Sequence, residues 1–532
     1  MTAPSVDAHK STSLKHKLWS RFFNSSSGKQ VALRVAVDFC LANASLACAA
    51  LFSLAATGKV TLGSPIGYII ARINAELLAS AGWFSGSAIA MFALCGLYKP
   101  VPSSHVWKRL TSVASACLVG FVFSAIVGSM VLESTAKVVG AIGLAWAFLY
   151  TFVTASRFSR MYVAQRYRVE LRRSHVKEKV EDVLVVGGAG YIGSIATRQL
   201  LDAGYRVRVL DLQLFGINAL SELLDHPRLE VMEGDFRNVE DVVRGLKGMD
   251  AVVHLAAIVG DPACSIDSET TIAVNYAAAK MIAQLARANG ISRFIFASTC
   301  SVYGASDDIR DEQSDLNPVS LYATTKIDAE KVLLETADSV FQPTILRFAT
   351  AYGWSHRPRF DLVANLLPAQ AVTQKKFRVF NGEQWRPFVH TVDLARSIVM
   401  SLQAPLSKVG GEIFNVGDES QNYTLTQLGQ IVKQMAPDAE FEEIRNDEDP
   451  RNYRVNFDKI KSRLGFRASV KLEDGISEIV NAVRSGQVSD WSDPIYSNRQ
   501  HLQDHGLTIL KFERKASENE MPMTQKFLQR VA

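Results

Sequence analysis

A doubly wound parallel α/β domain with a smaller second lobe, preceded by a helical region of about four membrane spans, is the fold class the sequence predicts. Three observations predict it. Long apolar runs are confined to the first 160 residues, a glycine-rich turn follows between a short strand and a helix, and strand-like and helix-like segments then alternate to about residue 480. At 532 residues the chain is too long for one ordinary core, so two or three domains are expected.

The apolar runs are 35–57, 83–98, 110–132 and 138–156. A span needs about 20 apolar residues, so the second run is short and the others suffice. Residues 64–80 look amphipathic and suit an interfacial or re-entrant segment. The net charge of +5 has two sources, residues 1–34 and the stretch 157–179 with Arg157, Arg160, Arg166, Arg168, Arg172, Arg173, Lys177 and Lys179. Basic flanks beside apolar helices mark a cytoplasmic membrane edge, so a lipid bilayer is the expected partner and nucleic acid is not. Lys99, Lys108 and Arg109 fall in the short loop between spans two and three, which agrees with an even number of spans and both ends inside. Asp38, near the start of the first span and close to Arg34, is expected to be interfacial or locally paired. No cleavable signal peptide is visible. The six cysteines form no CxxC pair, so neither a disulfide framework nor a metal site is expected. The expected organisation is a basic tail (1–34), a membrane region (35–156), a basic linker (157–180), the α/β domain (181–490, its smaller lobe mainly 355–390 and 420–480) and a C-terminal extension (491–532).

At residue 183 the character changes. VLVVGGAGYIG is a strand entering a turn in which Gly187, Gly190 and Gly193 are spaced G-x-x-G-x-x-G, with Tyr191 and Ile192 at the start of the following helix. Glycines let backbone approach a pyrophosphate, and a helix N-terminus offers unpaired N–H groups to it. YRVRVLD is a second strand ending in Asp211. A carboxylate there accepts hydrogen bonds from an adenosine ribose and repels a 2′-phosphate, so NAD is expected rather than NADP. LEVMEGDFRN leads to Asp235, expected near the adenine. DAVVHLAA ends in Leu255, Ala256 and Ala257, small enough to admit a cofactor.

RFIFASTCSVYG (293–304) reads as a further strand with Thr299 at its C-terminal end, where parallel sheets place their chemistry. In YATTK, Tyr322 and Lys326 are four apart and share a helix face. A tyrosine is a poor base at neutral pH unless positive charge favours its phenolate. Thr299, Tyr322 and Lys326 are therefore the catalytic candidates, with Tyr322 exchanging the proton of a substrate hydroxyl and Lys326 also reaching the nicotinamide ribose.

Residues 183–480 resemble the extended short-chain dehydrogenase/reductase superfamily, and within it the NAD-dependent epimerase/dehydratase family that acts on nucleotide sugars. The matching pieces are GGAGYIG (187–193), HLAA (254–257), STCSVYG (298–304), YATTK (322–326), LRFATAYG (346–353) and WRPFVHTVDLA (385–395). The resemblance implies a Rossmann-type fold and a homodimer formed by helices near YATTK. It implies that Asn365 and Leu366, in NLLP, contact a nucleotide diphosphate, as in UDP-galactose 4-epimerases, and that Arg386 and Arg451 bind the diphosphate. His390 is expected to be structural. The family's sugar 4,6-dehydratases carry Thr-Asp-Glu where this chain has Thr299, Cys300 and Ser301, which counts against elimination of water. Strand alternation would put Cys300 in the packing. A 4-epimerase acting on an NDP-hexose, with a UDP-sugar favoured, is the expected activity. An NDP-sugar dehydratase, reductase or decarboxylase, or an epimerase of a polyprenyl-diphosphate-linked sugar, are the alternatives. The four apolar runs, FALCGLYKPVPSSHVWKRL (92–110) and the basic exit segment resemble the membrane region of CapD-like polysaccharide-biosynthesis proteins. That likeness implies a multi-pass protein of the bacterial cytoplasmic (inner) membrane, its catalytic domain cytoplasmic and beside membrane glycosyltransferases.

Overall fold

In the computed structural model the chain divides into two compact units, Met1–Arg168 and Val169–Ala532. The structure describes residues 27–56, 65, 68, 81–95, 97–98, 106–131, 135–173, 179–446, 449–507 and 510.

The first unit contains helices α1 (Ser27–Ala56), α2 (Ala81–Leu94), α3 (Val106–Val131) and α4 (Thr135–Arg173), the last running to the end of the unit and beyond. Helices thus stand where the four spans are expected, and among the described residues Val31–Ala56 and Gly140–Arg160 are long and apolar enough to cross a membrane, at mean hydropathies of 1.9 and 1.3. Two candidate spans, by length and composition, are what the described residues show. Helix α2 has 14 residues, and at about 1.5 Å per residue that is short of a hydrocarbon core about 30 Å thick. In α3 the described apolar stretch is Thr111–Ile126. Phe84, Phe92, Ala116, Trp146 and Leu149 form the buried centre of this unit. Gly120 lets α3 approach α4, since a Cβ there would fall 2.2 Å from the Trp146 ring. Asp38 is buried and pairs with Arg157 of α4 at 3.0 Å, and Arg34, one turn earlier on α1, adds a second favourable charge. Arg157 also donates to the Leu97 carbonyl at 3.3 Å. The amphipathic segment 64–80 (bar residues 65 and 68), residues 1–26, 99–105 and 174–178, and most of 508–532 lie outside the described residues.

The second unit is built on seven parallel strands. They are β1 (Asp182–Val186), β2 (Arg206–Asp211), β3 (Leu229–Glu233), β4 (Ala251–His254), β5 (Arg293–Thr299), and, after β6 (Ala305–Arg310), β7 (Gln342–Phe348) and Ile413–Val416. Counting Ile413–Val416 as β11, the order is β11-β7-β5-β4-β1-β2-β3. The run DVLVV is buried over four of its five residues, because helices cover both faces of the sheet and both faces must be apolar. From β1 the chain winds outward through β2 and β3, then returns to the other side of β1 with β4 and β5. The connections therefore part at the C-terminal ends of β1 and β4, and a crevice opens there.

The smaller lobe carries β8 (Thr350–Tyr352), β9 (Lys376–Phe380), β10 (Trp385–His390), β12 (Asn422–Thr424), β13 (Glu440–Ile444) and β14 (Asn452–Val455). They pair as β12-β10-β8, β13-β9 and β14-β6. Tyr352, Leu367, Phe388, Leu428 and Ile476 make its core. TLTQLGQIVKQM folds as the helix Leu425–Met435, started by a capping box between Thr424 and Gln427, and the expected closing helix is Leu472–Arg484.

Candidate active site

The glycine turn is built by close approach. Gly187 has φ +88°, and a Cβ on it would lie 2.6 Å from the Ala256 nitrogen; one on Gly193 would lie 2.0 Å from the Gly187 carbonyl oxygen. Any side chain at either position would push the turn off β4 or off its own helix, Tyr191–Asp202. Gly190 is the N-cap of that helix and supplies no side-chain cap, so the first N–H groups at Tyr191 and Ile192 face the crevice without one. Asp211 stands beside them. Its Oδ2 accepts from Ala189 N–H at 2.9 Å and its Oδ1 from Gln213 N–H at 2.8 Å, while burial pushes its carboxyl pKa up. An uncapped helix N-terminus, a turn stripped of side chains and a carboxylate at the next strand end fit the pyrophosphate and ribose of NAD.

The crevice has a volume of about 550 Å³, and Gly187, Gly190, Tyr191, Ile192, Gly193, Asp211, Leu255, Ala256, Ala257, Thr299, Tyr322, Lys326, Arg386 and Arg451 all line it. The sequence spacing therefore converges on one place. Three expected contributors stand elsewhere. Asp235 is buried with its carboxylate held bidentate by the Arg237 guanidinium, and its neighbour Phe236 lines the crevice instead. Asn365 spends its amide internally: its Oδ1 accepts from Gly353 N–H at 3.0 Å, and its Nδ2 donates to the Arg359 carbonyl at 2.8 Å and to the Tyr191 hydroxyl at 3.1 Å. Leu366 follows it on the helix Val363–Gln374, of which only Val363 reaches the lining.

Tyr322 and Lys326 ride on the helix Leu321–Thr336, started by Ser320, whose Oγ accepts from Ala323 N–H at 3.2 Å. Lys326 Nζ donates to the Ala297 carbonyl at 2.8 Å and lies 6.0 Å from the Tyr322 ring centre. Burial drives its pKa down to about 8. Burial also pushes the Tyr322 phenol up, with Cys264 and Asp261 adding to the shift and the Thr299 hydroxyl opposing it through a hydrogen bond. In the protein alone, desolvation thus outweighs any charge that would favour the phenolate. Bound NAD supplies the hydride acceptor and a positive nicotinamide ring. What the protein supplies is a phenol hydrogen-bonded to Thr299 and a buried ammonium one helical turn away.

The strand ends at Thr299, and Cys300–Tyr303 is a 3₁₀ turn. Cys300 is fully buried, with its Sγ donating to the Arg347 carbonyl at 3.3 Å, and burial pushes its thiol up. It is packed away as expected, but by the turn rather than by strand alternation. Ser301 faces the crevice, 3.1 Å from Thr299 Oγ1 and 3.4 Å from the Tyr453 hydroxyl.

On the far wall, Asp449 joins Arg386 (3.1 Å) to Arg451 (2.7 Å), and Arg451 also reaches Asp261 at 3.2 Å. The arginines hold the Asp449 carboxyl down at about 2. Two guanidinium forks line this wall, each paired with carboxylate in the protein alone, and guanidinium forks suit phosphate oxygens.

The chain is similar to known proteins. The NAD dependent epimerase/dehydratase family matches residues 183–417. The chain is 30% identical over 308 residues to an uncharacterized UDP-glucose epimerase of Bacillus subtilis (strain 168), covering 56% of this chain and 95% of the relative. The chain belongs to the NAD-dependent epimerase/dehydratase family. Among solved family structures, DesIV, a dTDP-glucose 4,6-dehydratase from Streptomyces venezuelae with NAD bound, is 27% identical, with a TM-score of 0.54 over 59% of this chain and 99% of that one. MoeE5 in complex with UDP-glucuronic acid and NAD is 25% identical, with a TM-score of 0.51 over 57% and 99%.

Sequence reasoning missed several lining residues. Arg357 and Arg359, both buried, follow the end of β8; Arg359 pairs with Asp361 at 2.9 Å, and Arg357 stacks 3.7 Å over the Phe215 ring. Two arginines just beyond a strand end were the available signal. Ser497, Asn498 and Arg499, from the extension, also line the crevice. His254, in HLAA, is buried among Phe236, Phe294 and Phe296, and burial together with Lys326 drives its pKa down to about 3, so it is a neutral packing residue.

The depressed Lys326 pKa is a stability statement. The unfolded lysine keeps its proton to a higher pH than the folded one, so the full cost of the buried ammonium is present below about pH 8 and is relieved as pH rises toward the unfolded pKa of about 10.4. Lys326→Met is expected to raise the melting temperature at pH 7 while activity falls, and the gain should shrink by pH 10. A lower melting temperature at pH 7 would show that the bond to Ala297 outweighs the desolvation cost.

Proposed function

We propose that this family member is an NAD-dependent nucleotide-sugar 4-epimerase, acting on an NDP-hexose, a UDP-sugar by preference, through a transient 4-keto sugar. The observation that carries the reading is the wall beside Thr299, which presents the hydroxyls of Ser301 and Tyr453 where a dehydratase needs an acid and a base. Asp261 is the acid of the lining whose charge reaches Tyr322, and Arg451 holds it. Tyr322, as the phenolate, takes the proton of the C4 hydroxyl, and NAD held at the glycine turn would accept the hydride from that carbon. After the sugar turns over, the same phenol returns the proton as hydride comes back to the opposite face. Thr299 orients the reacting oxygen, and Arg386 and Arg451 anchor the diphosphate.

The first unit is proposed to anchor this chemistry to a bacterial cytoplasmic membrane, with α2 and α3 completing a four-pass region like that of CapD-like proteins. The basic residues 157–180 lie on the cytoplasmic face in this reading, and residues 181–490 form the catalytic domain. Such an anchor suits work beside a membrane glycosyltransferase or on a polyprenyl-diphosphate-linked sugar. A homodimer through the helices near YATTK is part of the same proposal.

The test uses full-length protein with UDP-, dTDP- and GDP-sugars in deuterated water without added coenzyme, products being weighed by mass spectrometry. An isomer of unchanged mass without carbon-bound deuterium is expected. Loss of the mass of water or of carbon dioxide overturns the reading in favour of a dehydratase or decarboxylase. Conversion that requires added reduced coenzyme overturns it in favour of a reductase.

A further inference from the structure

The C-terminal extension does not simply trail from the domain. It starts on the smaller lobe, where Trp491 Nε1 donates to Thr373 Oγ1 at 2.9 Å and the Tyr496 ring packs 5.6 Å from that of Phe360. It then crosses to the dinucleotide side. The backbone N–H of Asn498 donates to Asp361 Oδ2 at 3.0 Å and its Nδ2 to the Val259 carbonyl at 3.3 Å. His501 Nε2 donates to the Leu214 carbonyl at 2.7 Å, and its ring lies 4.6 Å from Phe215, the same ring over which Arg357 stacks. Farther on, Arg237 Nη1 donates to the Leu510 carbonyl at 2.9 Å. Leu214 and Phe215 closely follow Asp211 at the end of β2, and Leu510 lines the crevice.

The segment thus spans the crevice at its Asp211 end and is bonded to both lobes. Two polar atoms here are buried without a partner: Asn498 Oδ1 and Arg357 Nε. Both residues line the crevice and are more than nine-tenths buried. A buried acceptor and a buried donor left unpaired cost free energy unless a ligand meets them. Neither belongs to the glycine turn, and the segment lies beyond the family match, which ends at residue 417.

We infer that residues 491–507 are a cofactor strap that completes the NAD site of this chain, Asn498 offering an acceptor to a hydroxyl or amide N–H of the dinucleotide, and that the strap keeps NAD resident between turnovers. The inference rests on the reading of the crevice as an NAD site but not on which sugar is converted. A resident cofactor suits a reaction in which each hydride removed is returned.

Full-length protein is loaded with radiolabelled NAD, freed of excess, and chased with unlabelled NAD while retained label is counted. Asn498→Ala, which removes the acceptor offered to the dinucleotide, and His501→Ala, which unties the strap from the Leu214 carbonyl, are each expected to release label about tenfold faster than the parent, the effect of losing one good hydrogen bond. A chain ending at residue 489 should lose it faster still. Because that truncation removes packing as well, melting of every variant in saturating NAD serves as the folding control. If the truncated chain fails that control, the two single substitutions decide. Release from both within about twofold of the parent overturns the strap, since a lost hydrogen bond is worth more than that. The readout counts NAD rather than product, so a wrong assignment of the sugar reaction would leave this result standing.

Discussion

Tyr322→Phe should lower kcat by about 10²–10⁴-fold on whichever nucleotide sugar the parent converts, the range for loss of a positioned general acid–base group. Its phenol shares a hydrogen bond with Thr299 inside the crevice, and the nearest cation on its own helix, Lys326, is already bonded to the Ala297 carbonyl. Cys300 is buried behind the 3₁₀ turn and cannot take the proton, and Asp261, whose Oδ2 is paired with Arg451, is the remaining carboxylate whose charge reaches Tyr322. The substitution removes one oxygen and leaves the ring, so NAD content and melting temperature should stay near those of the parent. Because burial raises the phenol pKa, the reactive phenolate becomes more abundant with rising pH, and the parent's rate should climb toward alkaline pH. A loss smaller than about tenfold with NAD retained would move the acid–base role to another residue.

Glu330→Ala should be the most destabilising single change of a side chain outside the crevice. Glu330 and Arg347 are 3% and 2% exposed and pair at 2.7 Å. Ser298 donates to the same carboxylate. Arg347 donates to the Tyr303 hydroxyl at 3.0 Å, which in turn donates to Asn415 at 2.8 Å. The network ties β5, β7, β11, the 3₁₀ turn and the catalytic helix together, one helical turn beyond Lys326. Removing the carboxylate leaves a guanidinium buried without its counter-charge, which costs about 3–5 kcal/mol. For a domain of this size that is a fall in melting temperature on the order of 10 °C. The double variant Glu330→Met, Arg347→Met should recover most of the loss, since buried pairs are replaceable by packed apolar groups. Thermal melts of the three variants check both statements, and a single variant that melts with the parent would refute the first.

What was legible in the sequence was what depends on short spacing. The glycine turn, Asp211 and the Tyr322–Lys326 pair sit on elements whose periods fix their mutual positions, and the crevice receives all of them. Asn365 and Leu366 were harder, because the spacing of NLLP says nothing about which way the amide turns, and Gly353 and Arg359 claim it. Asp235 was assigned to the adenine, but Arg237, two residues on, reaches its carboxylate first. Cys300 was judged to be packing for a reason the structure replaces, since a strand read past Thr299 is a turn. Glu330 and Arg347 lie 17 positions apart, and His501 and Leu214 lie 287 apart. Pairings at that range are set by topology, and no local pattern announces them. A lone arginine inside the apolar run PTILRF was the one hint.

The Asp38–Arg157 pair bears on how the first unit is made. Its partners are separated by 119 positions, and the carboxylate is synthesised first. If α1 enters a bilayer as proposed, it does so without the Arg157 partner and with Arg34, one turn away, as the counter-charge at hand, a burden of up to about 2.5–3.5 kcal/mol on insertion scales for a central position and less near an interface. The matching guanidinium arrives only when α4 does. Biogenesis would then be sequential but not additive, with α1 loosely committed to the membrane until α4 locks it. The charge-swapped double variant, Asp38→Arg with Arg157→Asp, would place the same pair in the finished protein while reversing which sign of charge the insertion machinery meets first.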